Sequence, residues 1–139
     1  MLYIIEPEVP GRFGNQTSLD TKTHPPIVHK LHLEFEGWLG DDIMESFPCY
    51  IVTERLANEI KLQKLTGAEF DSLIVTKSQE YDIVAKIKTL PSLVWLKING
   101  IAGEDDFGIA KDLRLVVSEK ALKCIQQFNL SFALMESFK

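Results

Sequence analysis

Short apolar runs, several of them alternating with polar residues, dominate the chain and predict more strands than helices. In residues 27–36, Leu31, Leu33 and Phe35 fall on one side and mostly polar residues on the other, which is typical of a half-buried strand. The Gly-, Pro-, Thr- and Asn-rich residues 10–26 are predicted to form a long loop. The other predicted strands are 2–5, 49–52, 70–76, 93–98, 113–117 and 130–135.

Hydroxyl side chains placed just before apolar residues at helical spacing predict three helices. Thr53, Ser78 and Ser118 are the N-cap candidates, because a hydroxyl there can accept a hydrogen bond from an amide of the first turn. With about seven strands against three helices, we predict an α+β fold, a single domain built on a mixed or antiparallel sheet.

Two segments resemble each other at a shift of about 65 positions. Tyr-Ile-Val-Thr-Glu-Arg at 50–55 aligns with Leu-Val-Val-Ser-Glu-Lys at 115–120, so each has an apolar strand, a hydroxyl cap, an acid and a base. Upstream, Gly-Trp-Leu-Gly-Asp-Asp at 37–42 resembles Gly-Ile-Ala-Gly-Glu-Asp-Asp at 100–106. We therefore predict a duplicated strand–helix–strand unit. The predicted parts of the single domain 1–139 are N-terminal strands and the long loop in 1–36, a first unit in 37–77 and a second in 100–138.

The composition is that of an ordinary globular protein with a mildly acidic charge. Hydrophobic residues make up 45% and charged residues 25% of the 139, which argues against disorder. The net charge of −5 has the wrong sign for a general nucleic-acid binder, and no apolar run is long enough to cross a bilayer. We expect neither nucleic acid nor a membrane as partner.

Two cysteines bear on the compartment in which the protein works. Cys49 and Cys124 both lie in apolar surroundings and lack the spacing of a metal or redox motif. They are expected to be free thiols packed as small hydrophobic side chains. Together with the absence of a secretory leader, this predicts a cytoplasmic protein.

Net negative charge is concentrated in the first part of the chain. Residues 1–60 carry ten acids and four bases, whereas residues 61–139 carry ten acids and eleven bases. Such an acidic stretch on one face would attract a basic protein, with an aromatic side chain as anchor. The candidate partner-binding residues are Trp38, Asp41, Asp42, Glu45, Glu104, Asp105 and Asp106.

A catalytic signature is missing, since the chain has neither the spacing of a zinc site nor a nucleophile elbow. The alternative to a binding protein is a small metal-assisted enzyme, in which the Glu104–Asp106 turn between glycines would supply oxygen ligands to a hard cation. Adjacent acids in an extended segment point in opposite directions, however, so a solvated polar turn explains them more simply. We expect no cofactor, no metal and no catalytic residue.

The paired strand–cap–helix segments, with Leu-Thr-Gly at 65–67 and Phe70 after the first helix, resemble a family of uncharacterised bacterial domains. That family is grouped with the immunity proteins of polymorphic toxin systems. The resemblance covers about residues 37–138, although the second unit has Asn-Leu-Ser at 129–131 where the first has its glycine. It implies an immunity-type inhibitor that binds a cognate toxin stoichiometrically, without cofactor or catalysis. The oligomeric state is left open.

Overall fold

A computed structural model of the chain describes residues 1–138, which form thirteen strands and three helices. The helices are α1 (Glu54–Leu62), α2 (Gln79–Val84) and α3 (Glu119–Gln126). The strands are β1 (Leu2–Glu6), β2 (Gly11–Phe13), β3 (Ser18–Asp20), β4 (Ile27–Lys30), β5 (His32–Phe35), β6 (Ile43–Ser46), β7 (Cys49–Thr53), β8 (Ala68–Asp71), β9 (Ile74–Lys77), β10 (Leu93–Ile98), β11 (Phe107–Ile109), β12 (Leu115–Ser118) and β13 (Leu134–Phe138). The predicted α+β class is confirmed.

The strands form several small sheets instead of one. Sheet I has the order β11-β12-β1-β13 and sheet II the order β6-β7-β10-β8. Sheet III has the order β2-β5-β9, and β3 pairs with β4 in a separate hairpin. All pairs of neighbouring strands are antiparallel except β5 and β9, which run parallel. The sheets are therefore mostly antiparallel.

Two apolar clusters meet at strand β7. Helices α1 and α3 contact each other and pack on sheets II and I, so Val52, Leu56 and Ile125 belong to one cluster. Ile51 joins Trp95 in a second cluster, which lies between sheets II and III. Successive residues of a strand point to opposite faces, so β7 can serve both clusters and is buried along its whole length.

All three predicted N-caps are confirmed. The hydroxyl oxygens of Thr53, Ser78 and Ser118 each accept a hydrogen bond from the amide three residues later, at 3.4, 3.3 and 3.0 Å. Helix α1 ends at Leu62 with Gln63 as its C-cap, and Lys64 after it takes a left-handed φ of 56°. No helix within residues 1–138 has the length and apolar character needed to cross a membrane.

Some predicted strand limits were wrong. Residues 10–26 contain β2 and β3, whose backbones are paired although none of their side chains is fully buried, so no apolar pattern marks them. Residues 27–36 hold two strands, β4 and β5, in different sheets. Residues 70–76 are likewise divided, because the chain turns at Asp71, whose carboxylate accepts the Ser72 amide at 2.7 Å.

The last strand begins at Leu134 instead of residue 130. The amides of Asn129, Ser131 and Phe132 are bonded to the carboxylates of Asp42 and Asp41 and so do not belong to a strand ladder. The sequence pattern near residue 130 is apolar enough for a strand, but these side-chain acceptors hold the segment in another conformation.

The two cysteines are free and buried, as predicted. They lie in different apolar clusters, Cys49 beside Trp95 and Cys124 beside Ile125. Burial raises the pKa of Cys49 to about 12 and that of Cys124 to about 11. Neither side chain is therefore a reactive thiolate at neutral pH.

Candidate functional site: an acidic groove

Two adjoining depressions, of about 710 and 460 Å³, share a wall formed by Glu8, Val9, Leu39 and Phe132. We call the two together the acidic groove. At its acidic end the other lining residues are Glu6, Pro7, Glu45 and Leu134. At its apolar end they are Pro10, Gly11, Glu36, Gly37, Trp38, Val84, Ala85, Lys86 and Ile87.

The groove lies where three sheets and a helix approach one another. Its acidic end is formed by β1, β6 and β13, which contribute Glu6, Glu45 and Leu134. Its apolar end is formed by β2, the loop after β5 and the C-terminal end of α2. Each wall comes from a different part of the chain, so the groove exists only in the folded protein.

Exposed apolar side chains are concentrated in this groove. Leu39, for example, is 58% exposed. Among the residues that the structure describes, fourteen large hydrophobic side chains are exposed, and five of them line the groove. Those five are Val9, Leu39, Val84, Phe132 and Leu134. A contiguous apolar surface with a polar rim is typical of a binding site, whereas single exposed hydrophobic residues are ordinary.

The groove carries more acid than base. Four glutamates line it, and Lys86 is the one lining base within the described part of the chain. Burial and the nearby carboxylate of Glu6 raise the pKa of Glu45, although a hydrogen bond from Tyr50 works in the opposite direction. Burial also raises the pKa of Glu8. These shifts mean that a negative charge here costs free energy that a cation would offset.

Glu8 fixes the loop that carries Trp38 and Leu39. Its carboxylate accepts hydrogen bonds from the amides of Leu39 at 2.7 Å and Asp41 at 3.3 Å. Its backbone carbonyl accepts the amide of Glu45 at 2.9 Å, which ties the same residue to β6. Glu8 thus joins the two ends of the groove, and its side chain is mostly buried.

Trp38, the predicted aromatic anchor, lines the apolar end of the groove. Its indole Nε1 donates a hydrogen bond to the carbonyl of Asp41 at 2.9 Å, which fixes the ring against the loop. The Asp41 carboxylate in turn accepts the amides of Ser131 at 2.9 Å and Phe132 at 2.8 Å. The predicted residues Trp38 and Asp41 therefore belong to the same site. Trp38 lines the groove, whereas the buried Asp41 fixes the backbone of the lining residue Phe132.

Asp42 is 1% exposed, and its carboxylate accepts hydrogen bonds from four donor atoms. Its carboxylate accepts the Thr53 hydroxyl at 2.5 Å, both Nε and Nη2 of Arg55 at 2.7 Å, and the Asn129 amide at 2.9 Å. Burial alone would raise the pKa of Asp42, but the hydrogen bonds from Arg55, Thr53 and Asn129 outweigh it and lower the pKa. Asp41 is equally buried. The two aspartates thus belong to no exposed acidic face, and their part in partner binding stays a prediction.

The Glu104–Asp106 turn lies away from the groove. Asp106 accepts the Ser118 hydroxyl at 2.6 Å and the Thr66 amide at 2.9 Å, and these bonds lower its pKa against the opposing effect of burial. Asp105 accepts the amide of Ile101 at 2.8 Å, whereas Glu104 is exposed. The structure therefore brings Trp38 and Glu45 together in one groove and leaves these three acids outside it.

Two of the three acids of the turn, Asp105 and Asp106, accept hydrogen bonds from donors of their own chain. Within residues 1–138, no group of three or more histidine, cysteine, aspartate or glutamate side chains is arranged to hold a metal ion. Asp105 accepts one amide, and Asp106 accepts an amide and a hydroxyl, so hydrogen bonds within the chain account for the positions of both carboxylates. Nothing in this geometry favours the metal-assisted alternative.

Several groove residues were not among the site residues predicted from the sequence. Glu6, Glu8 and Glu36 are among the ten acids of residues 1–60, so the charge imbalance could have pointed to them. Val84 and Phe132 give no such signal, because an exposed apolar residue looks like a core residue in the sequence. Their position in the groove depends on contacts between distant parts of the chain.

Comparison with known proteins identifies no relative of this chain. No protein-family profile matches the chain, and neither curated protein sequences nor solved structures gave a match. The function must therefore be argued from the groove itself.

Proposed function

We propose that this protein is a non-catalytic binding protein, an immunity-type inhibitor that binds a basic toxin in the acidic groove. The observation that carries the proposal is the combination of exposed apolar side chains with four glutamates in one groove. Apolar anchors surrounded by charge are typical of protein interfaces, and complementary charge speeds the encounter of two partners. The resemblance to bacterial immunity domains supports the same class of function.

Cross-linking from inside the groove tests where a partner binds. A photoreactive amino acid at Leu39, in the groove, is compared with one at Leu62, which is 76% exposed on α1. We expect a single dominant basic protein to be cross-linked from Leu39 in the native host and not from Leu62. Equal cross-linking from both positions, or none from Leu39, would contradict the proposal.

Charge reversal and a toxicity assay test what the partner does. Glu36→Lys combined with Glu45→Lys should weaken the complex at least tenfold, mainly through slower association, and reduce its sensitivity to salt. Glu54→Lys combined with Glu69→Lys is the matched control, because both residues are exposed and lie outside the groove. The cross-linked partner, expressed alone, should arrest growth, and only the groove variant should fail to restore it.

We also propose that the chain contains two copies of one strand–helix–strand unit. In both sheets the helix-capping residue is paired with a leucine, Thr53 with Leu93 in sheet II and Ser118 with Leu2 in sheet I. The strand orders β6-β7-β10-β8 and β11-β12-β1-β13 correspond strand by strand if β1 takes the place of β10. This correspondence supports the internal repeat inferred from the shift of 65 positions.

The aspartates before each unit's hairpin support the repeat as well. Asp42 and Asp106 each accept the hydroxyl of their own unit's cap residue. Each also reaches across to an amide after the other unit's helix, Asn129 for Asp42 and Thr66 for Asp106. Two copies of one unit, packed around a two-fold axis, would produce this reciprocal pattern.

A circular permutant tests the repeat. Because Leu2 and Phe138 are paired, a two-residue Asn-Gly turn can join them, so that β1 directly follows β13. New ends between Asn99 and Gly100 would then leave each unit continuous in the chain. We expect the permutant to fold with a melting temperature within a few degrees of the original. An unfolded permutant would contradict the proposed units.

The free, buried cysteines in separate clusters support a reducing compartment, and we propose that the protein works in the cytoplasm.

A further inference from the structure

The acidic end of the groove contains a carboxylate, that of Glu45, that no basic side chain of residues 1–138 neutralises. Glu45 on β6 lies opposite Tyr50 in the strand register and beside Glu6 of β1. No salt bridge within residues 1–138 involves Glu45, whereas Arg114 is shared among Glu6 and two other acids. The half-buried carboxylate of Glu45 therefore has no cation of its own.

The walls around this carboxylate suit a flat, weakly hydrated cation. Pro7, Leu39, Phe132 and Leu134 line the same depression with apolar surface, and Phe132 is its aromatic residue. A guanidinium is planar, sheds water more easily than an ammonium group, and can stack on an aromatic ring while it donates two hydrogen bonds to a carboxylate. A lysine ammonium also donates hydrogen bonds and can lie over a ring, but it is more strongly hydrated and lacks the planar pair of donors that matches a carboxylate.

We propose that the acidic end binds a single arginine side chain of the partner, with its guanidinium paired to Glu45 and stacked against Phe132. This inference rests on the proposed function, because it names the residue by which the partner would be recognised in the same groove. The apolar end, with Trp38 and Val84, then contacts hydrophobic residues next to that arginine. The recognised segment is thus an exposed arginine flanked by apolar side chains.

The binding of small probes to the full-length chain tests the proposal without a known partner. The probes are N-acetylarginine amide, N-acetyllysine amide and the uncharged isostere N-acetylcitrulline amide. Backbone amide shifts in NMR spectra report where each probe binds. We expect saturable shifts at Leu39, Glu45 and Phe132 with the arginine probe, and at least tenfold weaker binding of both other probes.

Two variants locate the effect at Glu45. Glu45→Gln should weaken the arginine probe about tenfold and leave citrulline unchanged, and its amide spectrum confirms that it is folded. Glu69→Gln is the control, because Glu69 is exposed on β8 at the other edge of sheet II. Equal binding of lysine and arginine, or equal arginine affinity in Glu45→Gln and the original chain, would overturn the inference.

The two proposals can fail separately. If Leu39 cross-links a basic partner but the arginine probe does not bind the groove, the partner site stands and arginine recognition is refuted. If the probe binds through Glu45 but no partner is cross-linked, the cation site stands and the inhibitor function is refuted.

Discussion

Replacing Asp42 by asparagine should destabilise the protein strongly, although the two side chains have almost the same shape. The buried carboxylate accepts the Thr53 hydroxyl, the Asn129 amide and two guanidinium nitrogens of Arg55. Asparagine keeps one acceptor oxygen, and its NH₂ group then faces a donor. At least one of the two buried donors, the Thr53 hydroxyl or the Asn129 amide, loses its partner.

The size of this destabilisation depends on which of the donors water can solvate once the carboxylate has been replaced. The Arg55 side chain is 61% exposed, so its guanidinium is readily solvated and its share is below about 1 kcal/mol. A lost hydrogen bond to a buried charged acceptor costs about 1.5–3 kcal/mol. We therefore expect Asp42→Asn to lower the free energy of unfolding by about 2–3 kcal/mol, and the melting temperature by about 10 °C in a chain of this size.

Urea denaturation at several pH values checks both the size of the destabilisation and its cause. Because the folded pKa of Asp42 lies below its ordinary value of 3.8, the carboxylate stabilises the fold fully above that pH and less as the pH falls through the folded pKa. The difference between Asp42→Asn and the original chain should be constant from pH 7 to about pH 5 and shrink below pH 4. Arg55→Lys, the control, keeps a cation beside the buried carboxylate of Asp42 and should cost under about 1 kcal/mol. A loss below about 1 kcal/mol for Asp42→Asn at pH 7, or one that does not shrink in acid, would refute the reasoning.

Two other carboxylates should behave differently when they are neutralised. Asp106→Asn removes an acceptor of the Ser118 hydroxyl and the Thr66 amide at a less buried place, so we expect a loss of about 1 kcal/mol in urea denaturation, unaltered by millimolar Mg²⁺. A melting temperature that rises with Mg²⁺ in the original chain and not in the variant would favour the metal-assisted enzyme instead. Glu45→Gln removes a charge that burial and Glu6 disfavour, so stability at pH 7 should rise by about 0.5 kcal/mol. Since the folded pKa of Glu45 is raised, this gain should vanish as the pH falls below 4.5, and a loss of stability at pH 7 would contradict it.

Local signals in the sequence predicted the local structure well. The caps at Thr53, Ser78 and Ser118 were correct because a hydroxyl satisfies a neighbouring amide wherever the helix lies in the fold. The strand predicted at residues 93–98 matches β10, since a continuous apolar run between polar segments leaves little alternative. The exposed strands β2 and β3 were missed because their pairing depends on backbone bonds to other segments.

The candidate site was predictable only in part, for a related reason. Trp38 and Glu45 could be found because an aromatic residue within an acidic stretch is unusual in the sequence. The roles of Asp41 and Asp42 could not, because both also accept amides about 90 positions away, at or beside a segment that the sequence pattern assigned to a strand. A carboxylate that fixes a distant loop and one that faces solvent have the same sequence signal.

This ambiguity decides how binding variants must be interpreted. Asp41 and Asp42 hold the segment that places Phe132 in the groove, so a substitution there would weaken partner binding by disturbing the wall. The loss would resemble that of a contact residue, because truncation reports reorganisation of the free protein as well as lost contacts. An acid is a direct contact only if reversing its charge weakens binding without lowering the melting temperature. Glu36 and Glu45, which line the groove and hold no distant amide, are the acids expected to meet that condition.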